Sequence, residues 1–173
     1  RHLTDGVTEP VLFNWHRQVM NGRIDIRDIG GYRRHEEPMQ IVSGPDYAPR
    51  VHFEAPPSSA VSTEMARYLA WLDESEPGGA APLPALTRAG IAHLWFESIH
   101  PFEDGNGRVG RAIADMALAR SENTPQRFYS VSAQIRRERN KYYDCLEETQ
   151  KGDLDITAQL EWFLGGLDRA FVG

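Results

Sequence analysis

Apolar residues recur at helical spacing along most of this chain. In six stretches the large side chains sit three and four positions apart with polar residues between them, the spacing that lines one face of an α-helix. Cap-type residues open several of these stretches: Thr8 with Pro10 for the first, Ser58 and Ser59 for the second, and Asp155 for the last. The predicted helices cover residues 8–22, 58–72, 87–99, 109–118, 133–150 and 155–167.

Two shorter segments have a different pattern. Residues 38–44 and 50–54 are rich in β-formers and are joined by a turn containing Pro45 and Pro49, which predicts a β-hairpin. A lone hairpin is only marginally stable in water, so this one is expected to pack against the helices. It is either a simple surface hairpin or a strand edge that aligns an extended peptide by main-chain hydrogen bonds.

The expected fold is all-α. Residues 128–132 form one more short apolar segment before the fifth helix, and no internal repeat is evident. The pattern predicts a bundle of about seven helices with one β-hairpin, in a single domain over residues 1–173. The chain starts at Arg1 without an initiator Met, which suggests that an N-terminal regulatory part is missing.

Composition narrows the functional classes. Of the 173 residues 40% are hydrophobic and 25% charged, the range of ordinary globular domains, and no apolar run is long enough to span a membrane. The net charge of −6 makes a broad nucleic-acid footprint improbable, so any phosphate-binding basic group has to be local. The single cysteine, Cys145, cannot form an internal disulfide and fits a cytoplasmic protein.

The densest chemistry lies between the third and fourth predicted helices, at residues 100–111. Glycines on both sides of Asn106 let the backbone turn its N–H groups toward one point, where the following helix adds its positive end, which predicts an anion cradle. Beside it stand Asp104 as a candidate ligand for a hard cation and Arg108 and Arg111 as a candidate phosphate clamp. His100 is a candidate base, because Pro101 forces it out of the α region and aims its ring into the loop.

Three interpretations of this stretch compete. It could be a structural turn in which Asp104 caps helix N–H groups and the arginines pair with nearby acids. A Walker-type nucleotide site can be set aside, because the Gly-Lys-Ser/Thr ending and the preceding strand are missing. The third is a helical site for Mg²⁺ and a nucleotide that performs group transfer. His16 and His93, by contrast, read as packing residues on their helices.

The stretch HPFEDGNGR from His100 to Arg108, with Arg111 three positions on, resembles the signature loop of the Fic domain family at every defining position. The resemblance extends to the hairpin upstream and to residues 140–153 downstream. It implies protein AMPylation, in which AMP passes from ATP to a Ser, Thr or Tyr hydroxyl of a target protein and pyrophosphate is released. ATP and Mg²⁺ would then be required, and the chain would be a nucleotidyltransferase.

The resemblance also implies roles for individual residues. His100 would be the general base, with a pKa near its ordinary value, Phe102 would fix the loop in the core, and Asp104 would hold Mg²⁺. The nucleotide would be bound by Gly105, Asn106, Gly107, Arg108, Arg111, Tyr142, Tyr143 and Gln150, although helix packing explains Tyr142 equally well. The hairpin would be a flap that aligns the target through Met39, Gln40, Ile41, Val42, Val51, His52 and Phe53.

One family feature is missing. Many members carry an inhibitory helix, Ser/Thr-x-x-x-Glu-Gly/Asn, whose glutamate pairs with the second arginine, and the nearest match here, 157–161, ends in Trp162. Such a helix is therefore expected in a missing segment or in an antitoxin-like partner. Transfer of another moiety, removal of AMP, and a non-catalytic nucleotide or peptide-binding module remain as alternatives.

Overall fold

The computed structural model describes residues 6–43, 45, 47–122, 131–153 and 155–172. Within them the chain forms seven helices and two strands. In chain order these are α1 Glu9–Val19, β1 Gln40–Ser43, β2 Arg50–Glu54, α2 Ser58–Glu74, α3 Ala85–Ile99, α4 Asn106–Glu122, α5 Val131–Arg137, α6 Arg139–Lys151 and α7 Thr157–Val172. The predicted fold class, helices with one antiparallel hairpin, is confirmed.

Helices α3 and α4 form the centre of the fold. Ala89, Ala92, Ala114 and Ala117 are buried on them, and side chains this small let the two helices approach closely. One apolar cluster joins this pair to α1 and α2, and a second joins it to α5, α6 and α7. The loop between α3 and α4 is therefore held at both ends by buried helices.

The hairpin packs against α6 through its second strand. Its register pairs Gln40 with Glu54 and Ile41 with Phe53, then shifts by an irregularity so that Val42 pairs with Val51. One side of the hairpin is buried against the helices, whereas the side chains of Val42 and Val51 are 47% and 41% exposed. Each strand of this two-stranded sheet has one edge without a strand partner, so β1 presents a free edge.

Two sequence predictions are wrong in detail. The single helix expected over 133–150 is two helices, broken at Glu138, whose backbone leaves the helical region at φ −111° and ψ 32°. The carboxylate of Glu138 is bound by Arg169 of α7 at 2.6 and 2.8 Å, which ties the break to the neighbouring helix. The Ser58 hydroxyl, expected to cap α2, instead donates to the carbonyl of His35 at 2.7 Å, and the N-cap position is Pro57.

Other expectations fit the structure or lie outside it. The carboxylate of Asp155 accepts the backbone N–H of Thr157 at 2.9 Å, as predicted for a cap of the last helix. The apolar segment 128–132 lies largely outside the described residues, and only its end at Val131 is seen, as the start of α5. In the described part of the chain no helix has the length and hydropathy needed to cross a bilayer.

Candidate active site

A cavity of about 540 Å³ opens over the loop between α3 and α4. It collects most of the site residues that the sequence predicts: Met39, Gln40, Ile41, Val42, His100, Asp104, Gly105, Asn106, Gly107, Arg108, Arg111, Tyr142 and Tyr143. Strand β1 forms one wall and the N-terminal turn of α4 another. A strand edge, a histidine and a helix N-terminus therefore face one space.

His100 occupies the turn that ends α3. Its φ of 49° and ψ of 59° place it in the left-handed region, and it is the one non-glycine residue with positive φ in the described part of the chain. This conformation is strained for a residue with a side chain, so it persists only where surrounding contacts hold it. The sequence prediction that Pro101 excludes His100 from the right-handed helical region is confirmed.

The hydrogen bonds of His100 indicate which ring nitrogen is available for chemistry. Its Nδ1 lies 3.3 Å from the carbonyl oxygen of Glu97, and because a carbonyl can only accept, Nδ1 carries the proton. The tautomer assigned in this way leaves Nε2 with a free lone pair. A base in this position would use Nε2.

The acidity of His100 differs from the sequence expectation. Burial lowers the pKa of His100 to about 4, and the positive charge of Arg33 lowers it further, against the raising effects of the Glu97 carbonyl and Asp104. The expectation of an ordinary histidine pKa is therefore wrong for the protein without ligand. The imidazole is neutral at pH 7, the state that can accept a proton.

Phe102 anchors the middle of the loop. It is fully buried, and its ring stacks on His16 with centroids 4.0 Å apart and planes at 4°. The rings of Phe13, Tyr32 and Phe96 surround it at centroid distances of 6.0 to 6.4 Å. The side chain therefore points into the core, as the sequence comparison implied.

His16 holds the other side of the loop. Its Nδ1 accepts the backbone N–H of Gly30 at 2.9 Å, so its Nε2 carries the proton and donates to the carbonyl of Asp104 at 3.0 Å. Burial lowers the pKa of His16 below its usual value, which favours this neutral form. The ring is a packing residue, as predicted, and it also fixes the position of the Asp104 backbone.

Asn106 closes the loop on itself. Its side-chain oxygen accepts the backbone N–H of Phe102 at 2.8 Å, and its amide nitrogen donates to the Phe102 carbonyl at 2.8 Å. Both polar atoms of the side chain are thus engaged in shaping the turn, and the backbone N–H of Asn106 is the group proposed to meet an anion. Gly105 beside it has φ +82° and lies so close to Met20 that an added Cβ would be 2.8 Å from the sulfur.

Asp104 lies at the mouth of the cavity with its side chain 42% exposed. Arg23 donates to its Oδ2 at 2.9 Å while also bonding both oxygens of Asp25 at 2.7 and 2.6 Å. Arg108 turns toward the end of α1, where it donates to the Val19 carbonyl at 3.0 Å. Both side chains are therefore already held by other groups of the protein.

Arg111 faces the cavity over Gly107. Its Nη1 would lie 3.1 Å from a Cβ at that glycine, so the guanidinium occupies the space that a side chain at position 107 would need. Within the described residues Arg111 forms no hydrogen bond and no ion pair. It is available for an anion in this part of the structure.

Glu97 is a site residue that sequence reasoning missed. It lies on α3 one turn before His100, lines the cavity, is 4% exposed, and its Oε1 has no hydrogen-bond partner. Burial raises its pKa to about 7, with the charge of Arg111 acting in the opposite direction. Its helical spacing from His100 was visible in the sequence, but the burial of its carboxylate was not.

Four predicted residues do not line this cavity: Val51, His52, Phe53 and Gln150. His52 is 4% exposed and its Nδ1 lies 2.6 Å from Glu147 of α6, so its side chain cannot meet a target on the outer face. Gln150 donates to the hydroxyl of Ser98 at 3.0 Å and lines a separate, largely apolar groove of about 340 Å³. Ile41 is also buried, so at this position of β1 a target could be met by the main chain and not by the side chain.

Glu147 is a second residue that the sequence did not reveal. Its carboxylate accepts from His52 and Arg50 of the hairpin and from Lys151 of its own helix, at 2.6, 2.8 and 2.8 Å. Lys151 first, then His52 and Arg50, lower the pKa of Glu147 to about 2. This carboxylate is the main polar link between flap and α6, beside the longer ion pair of Arg50 with Asp144 at 3.6 Å.

A sequence model of the Fic/DOC family matches residues 6–118, which include α1, the hairpin, the loop and most of α4. The chain belongs to the Fic/DOC family. The protein adenylyltransferase Fic of Culex quinquefasciatus is 31% identical over 150 residues, which make up 87% of this chain and 26% of that protein. The chain thus spans about a quarter of the length of this relative.

Solved Fic structures have the same fold. A Fic family protein from Desulfovibrio desulfuricans G20 superposes with a TM-score of 0.76 at 31% identity, over 94% of this chain and 45% of that one. A Fic domain containing signaling protein from Bacteroides thetaiotaomicron VPI-5482 gives a TM-score of 0.73 at 18% identity, over 98% of this chain and 62% of that one. The second likeness concerns the fold alone.

Proposed function

We propose that this Fic protein transfers AMP from ATP to a hydroxyl side chain of a target protein and releases pyrophosphate. The observation that carries the proposal is the single cavity in which a neutral His100, the N-terminus of α4 and the free edge of β1 meet. Relatives named protein adenylyltransferase at about 30% identity agree with it.

In the proposed reaction the target oxygen attacks the α-phosphorus of ATP. The bond between that phosphorus and the oxygen bridging to the β-phosphate breaks, and pyrophosphate leaves with the bonding electrons. The hydroxyl proton passes to Nε2 of His100, the ring nitrogen left free by the contact with Glu97. Bound phosphates would raise the low pKa of His100, because negative charge favours the imidazolium.

The phosphates would lie over the start of α4. The backbone N–H groups of residues 106 and 107 and the positive end of the helix dipole attract anions there, and Arg111 stands free beside them. Arg108 would join after leaving the end of α1. Tyr142 and Tyr143, which line the same cavity, are the proposed contacts of the adenosine, and Gln150 would require a ligand reaching toward the second groove.

Asp104 fits a Mg²⁺ bound together with a nucleotide. Mg²⁺ is commonly held by one or two carboxylates while phosphates and waters fill its other positions, and Asp104 offers one half-exposed carboxylate at the cavity mouth. Among the described residues no group of three or more acidic, His or Cys side chains could hold a metal by itself. The ion would neutralise phosphate charge, and Arg23 would have to release Asp104.

The target would lie along β1 as an extended segment. The free edge offers main-chain hydrogen bonds, and the outward Val42 and Val51 offer apolar contact for its side chains. An inhibitory helix from another segment, or an antitoxin-like partner, would act by placing a carboxylate on Arg111.

The test is transfer of labelled AMP from Mg-ATP to candidate proteins and to the protein itself, read by mass spectrometry. His100→Ala should reduce the AMP adduct by about 10² to 10⁴-fold, the usual contribution of a general base. His35→Ala is the matched control, because the His35 ring contacts only its own loop at Glu37.

The outcomes separate the alternatives. An adduct that survives in His100→Ala would contradict the role of the histidine, and nucleotide binding without any adduct would indicate a binding module. Parallel reactions with UTP, GTP and CDP-choline distinguish AMP from other transferred groups. An AMP-modified protein as substrate tests the reverse activity.

A further inference from the structure

Arg33 is a buried cation without an acidic partner. It lies in the loop between α1 and β1, is 1% exposed, and forms no ion pair within the described residues. Burial lowers its pKa from the usual value, as expected for a charge removed from water without a counter-ion. Burying a charge in this way is unfavourable, so its hydrogen bonds must compensate.

The hydrogen bonds of Arg33 converge on the turn that carries His100. Nε donates to the carbonyl of His100 at 2.8 Å, and Nη2 lies 3.4 Å from the carbonyl of Ile99. The backbone N–H of Arg33 donates to the carbonyl of Pro101 at 3.0 Å. Three consecutive carbonyls at the C-terminal end of α3 are therefore satisfied by one residue.

The same guanidinium reaches the base of the flap. Nη2 donates to the carbonyl of Pro56 at 2.5 Å, two residues beyond the end of β2. The flap and the His100 turn are far apart in sequence, yet one planar group with fixed donor geometry spans both. A change in either position would break a charge-assisted hydrogen bond in a buried place.

We propose that Arg33 is a positioning residue that holds the left-handed turn of His100 and sets its distance from the flap. It touches neither substrate nor nucleotide in this role and acts through the backbone of residues 99–101 and 56. The proposal deepens the proposed function and rests on it where catalysis is concerned. Its structural part, the orientation of His100, stands independently.

Arg88 provides a matched control. It is also fully buried, donates from Nη2 to the Leu72 carbonyl at 2.6 Å and from Nε to the Ser75 hydroxyl at 3.1 Å, and leaves its Nη1 unpaired as Arg33 does. Its contacts lie at the end of α2, outside the cavity over the loop. Loss of a buried arginine can therefore be compared with and without loss of the His100 contacts.

The experiment compares Arg33→Met and Arg88→Met with the wild-type chain, with Arg33→Lys as a milder variant. Methionine keeps most of the length but donates no hydrogen bond, and lysine keeps the charge but cannot bridge Pro56 and His100 in one plane. Three quantities are measured: the free energy of unfolding, kcat and KM for ATP, and the ring signals of His100 in NMR spectra of histidine-labelled protein.

Both methionine variants should lose stability. Arg33→Met should in addition lower kcat by about 100-fold, the effect of a misplacement of about 1 Å, with KM for ATP within about 3-fold of wild type. Its His100 ring signals should shift, whereas those of Arg88→Met should coincide with wild type. Arg33→Lys should fall between wild type and Arg33→Met in both kcat and ring signals.

Equal effects of the two methionine variants on kcat and on the His100 signals would overturn the proposal. If Arg33→Met does not fold, the same comparison of kcat and His100 signals is made between Arg33→Lys and Arg88→Lys. If the wild-type chain transfers no nucleotide to any substrate, the proposed function fails, and the NMR comparison still decides whether Arg33 orients His100.

Discussion

The two walls of the cavity are built differently. On the loop side, Phe102, Asn106 and His16 are at most 2% exposed, and their contacts are aromatic stacking and buried hydrogen bonds. On the flap side, Val42 and Val51 are 47% and 41% exposed, and the polar links to α6 are the carboxylate of Glu147 and the longer ion pair of Arg50 with Asp144. One wall is part of the core and the other rests on it.

This difference fits the division of labour in the proposed reaction. Groups that stabilise developing charge work best when they are preorganised, which a loop fixed in the core achieves. A surface that receives extended segments of other proteins benefits from adjusting to them, and elements with few buried contacts open at low free energy.

Phe102→Ala should reduce the free energy of unfolding by about 3 to 5 kcal/mol, because a buried ring at the centre of an aromatic cluster is replaced by a cavity. Val51→Ala on the flap should change it by no more than about 0.5 kcal/mol. Urea titrations followed by tryptophan fluorescence measure both values. Similar losses in the two variants would contradict the contrast between the walls.

Glu97→Gln should alter the dependence of stability on pH. The pKa of Glu97 is raised to about 7 in the folded chain, so its protonated form favours folding: this contribution is fully present below its ordinary pKa of 4.5 and is lost as pH rises to about 7. The loss is on the order of 3 kcal/mol, since a tenfold change in proton affinity equals about 1.4 kcal/mol.

The quantity to compare is the free energy of unfolding of the wild type minus that of Glu97→Gln, measured across this range of pH. Burial lowers the pKa of both His93 and His100 to about 4, so these residues destabilise the fold as pH falls below 6.5 and partly mask the effect of Glu97. They are common to both proteins and cancel in the difference. A difference that stays constant between pH 4.5 and pH 7 would show that Glu97 has an ordinary pKa.

Asn106→Ala should reduce stability by about 2 kcal/mol, because the N–H and C=O of Phe102 would lose their partners in a buried place. Asn140→Ala, at an exposed position of α6, is the control for loss of an asparagine side chain. Thermal unfolding of the two variants gives the comparison. An Asn106→Ala variant as stable as the control would mean that water replaces both hydrogen bonds.

Glu147→Gln should leave global unfolding almost unchanged and loosen the flap. Amide hydrogen exchange in residues 40–43 and 50–54 should become faster by a few-fold, because the ion pair with Arg50 is lost and the hydrogen bond to His52 is weakened. Glu148→Gln, at the next position of α6, is the matched control. Since salt screens exposed ion pairs, 1 M NaCl should speed exchange in the wild type and have less effect in the variant.

Much of the fold and the position of the site could be read from local sequence. Helical periodicity found the helices α1 to α4, and the β-formers between 50 and 54 gave strand β2 with its correct bounds. The glycines around Asn106 and the proline after His100 predicted the turn, because these residues restrict or free the backbone locally. Such signals need no knowledge of the tertiary structure.

The parts that were missed depend on contacts distant in sequence. Glu138 breaks a periodic helix where Arg169, 31 residues later, binds its carboxylate. Arg33 resembles its exposed neighbour Arg34 in sequence, and only the folded chain distinguishes the buried residue from the exposed one. His52 was predicted to help align the target, because the alternation of residues along a strand does not tell which face of the hairpin meets α6.

Gly110 has a consequence for how this site can vary. A Cβ at this position would lie 2.6 Å from Oε1 of Glu97 and 3.2 Å from the ring of Phe96. A side chain at position 110 therefore requires that Glu97 move aside or be replaced by a smaller residue, so the residue types at the two positions are linked. Homologues or laboratory variants that carry a side chain at position 110 should carry a smaller residue at position 97, and selection for a side chain at position 110 should recover that second change.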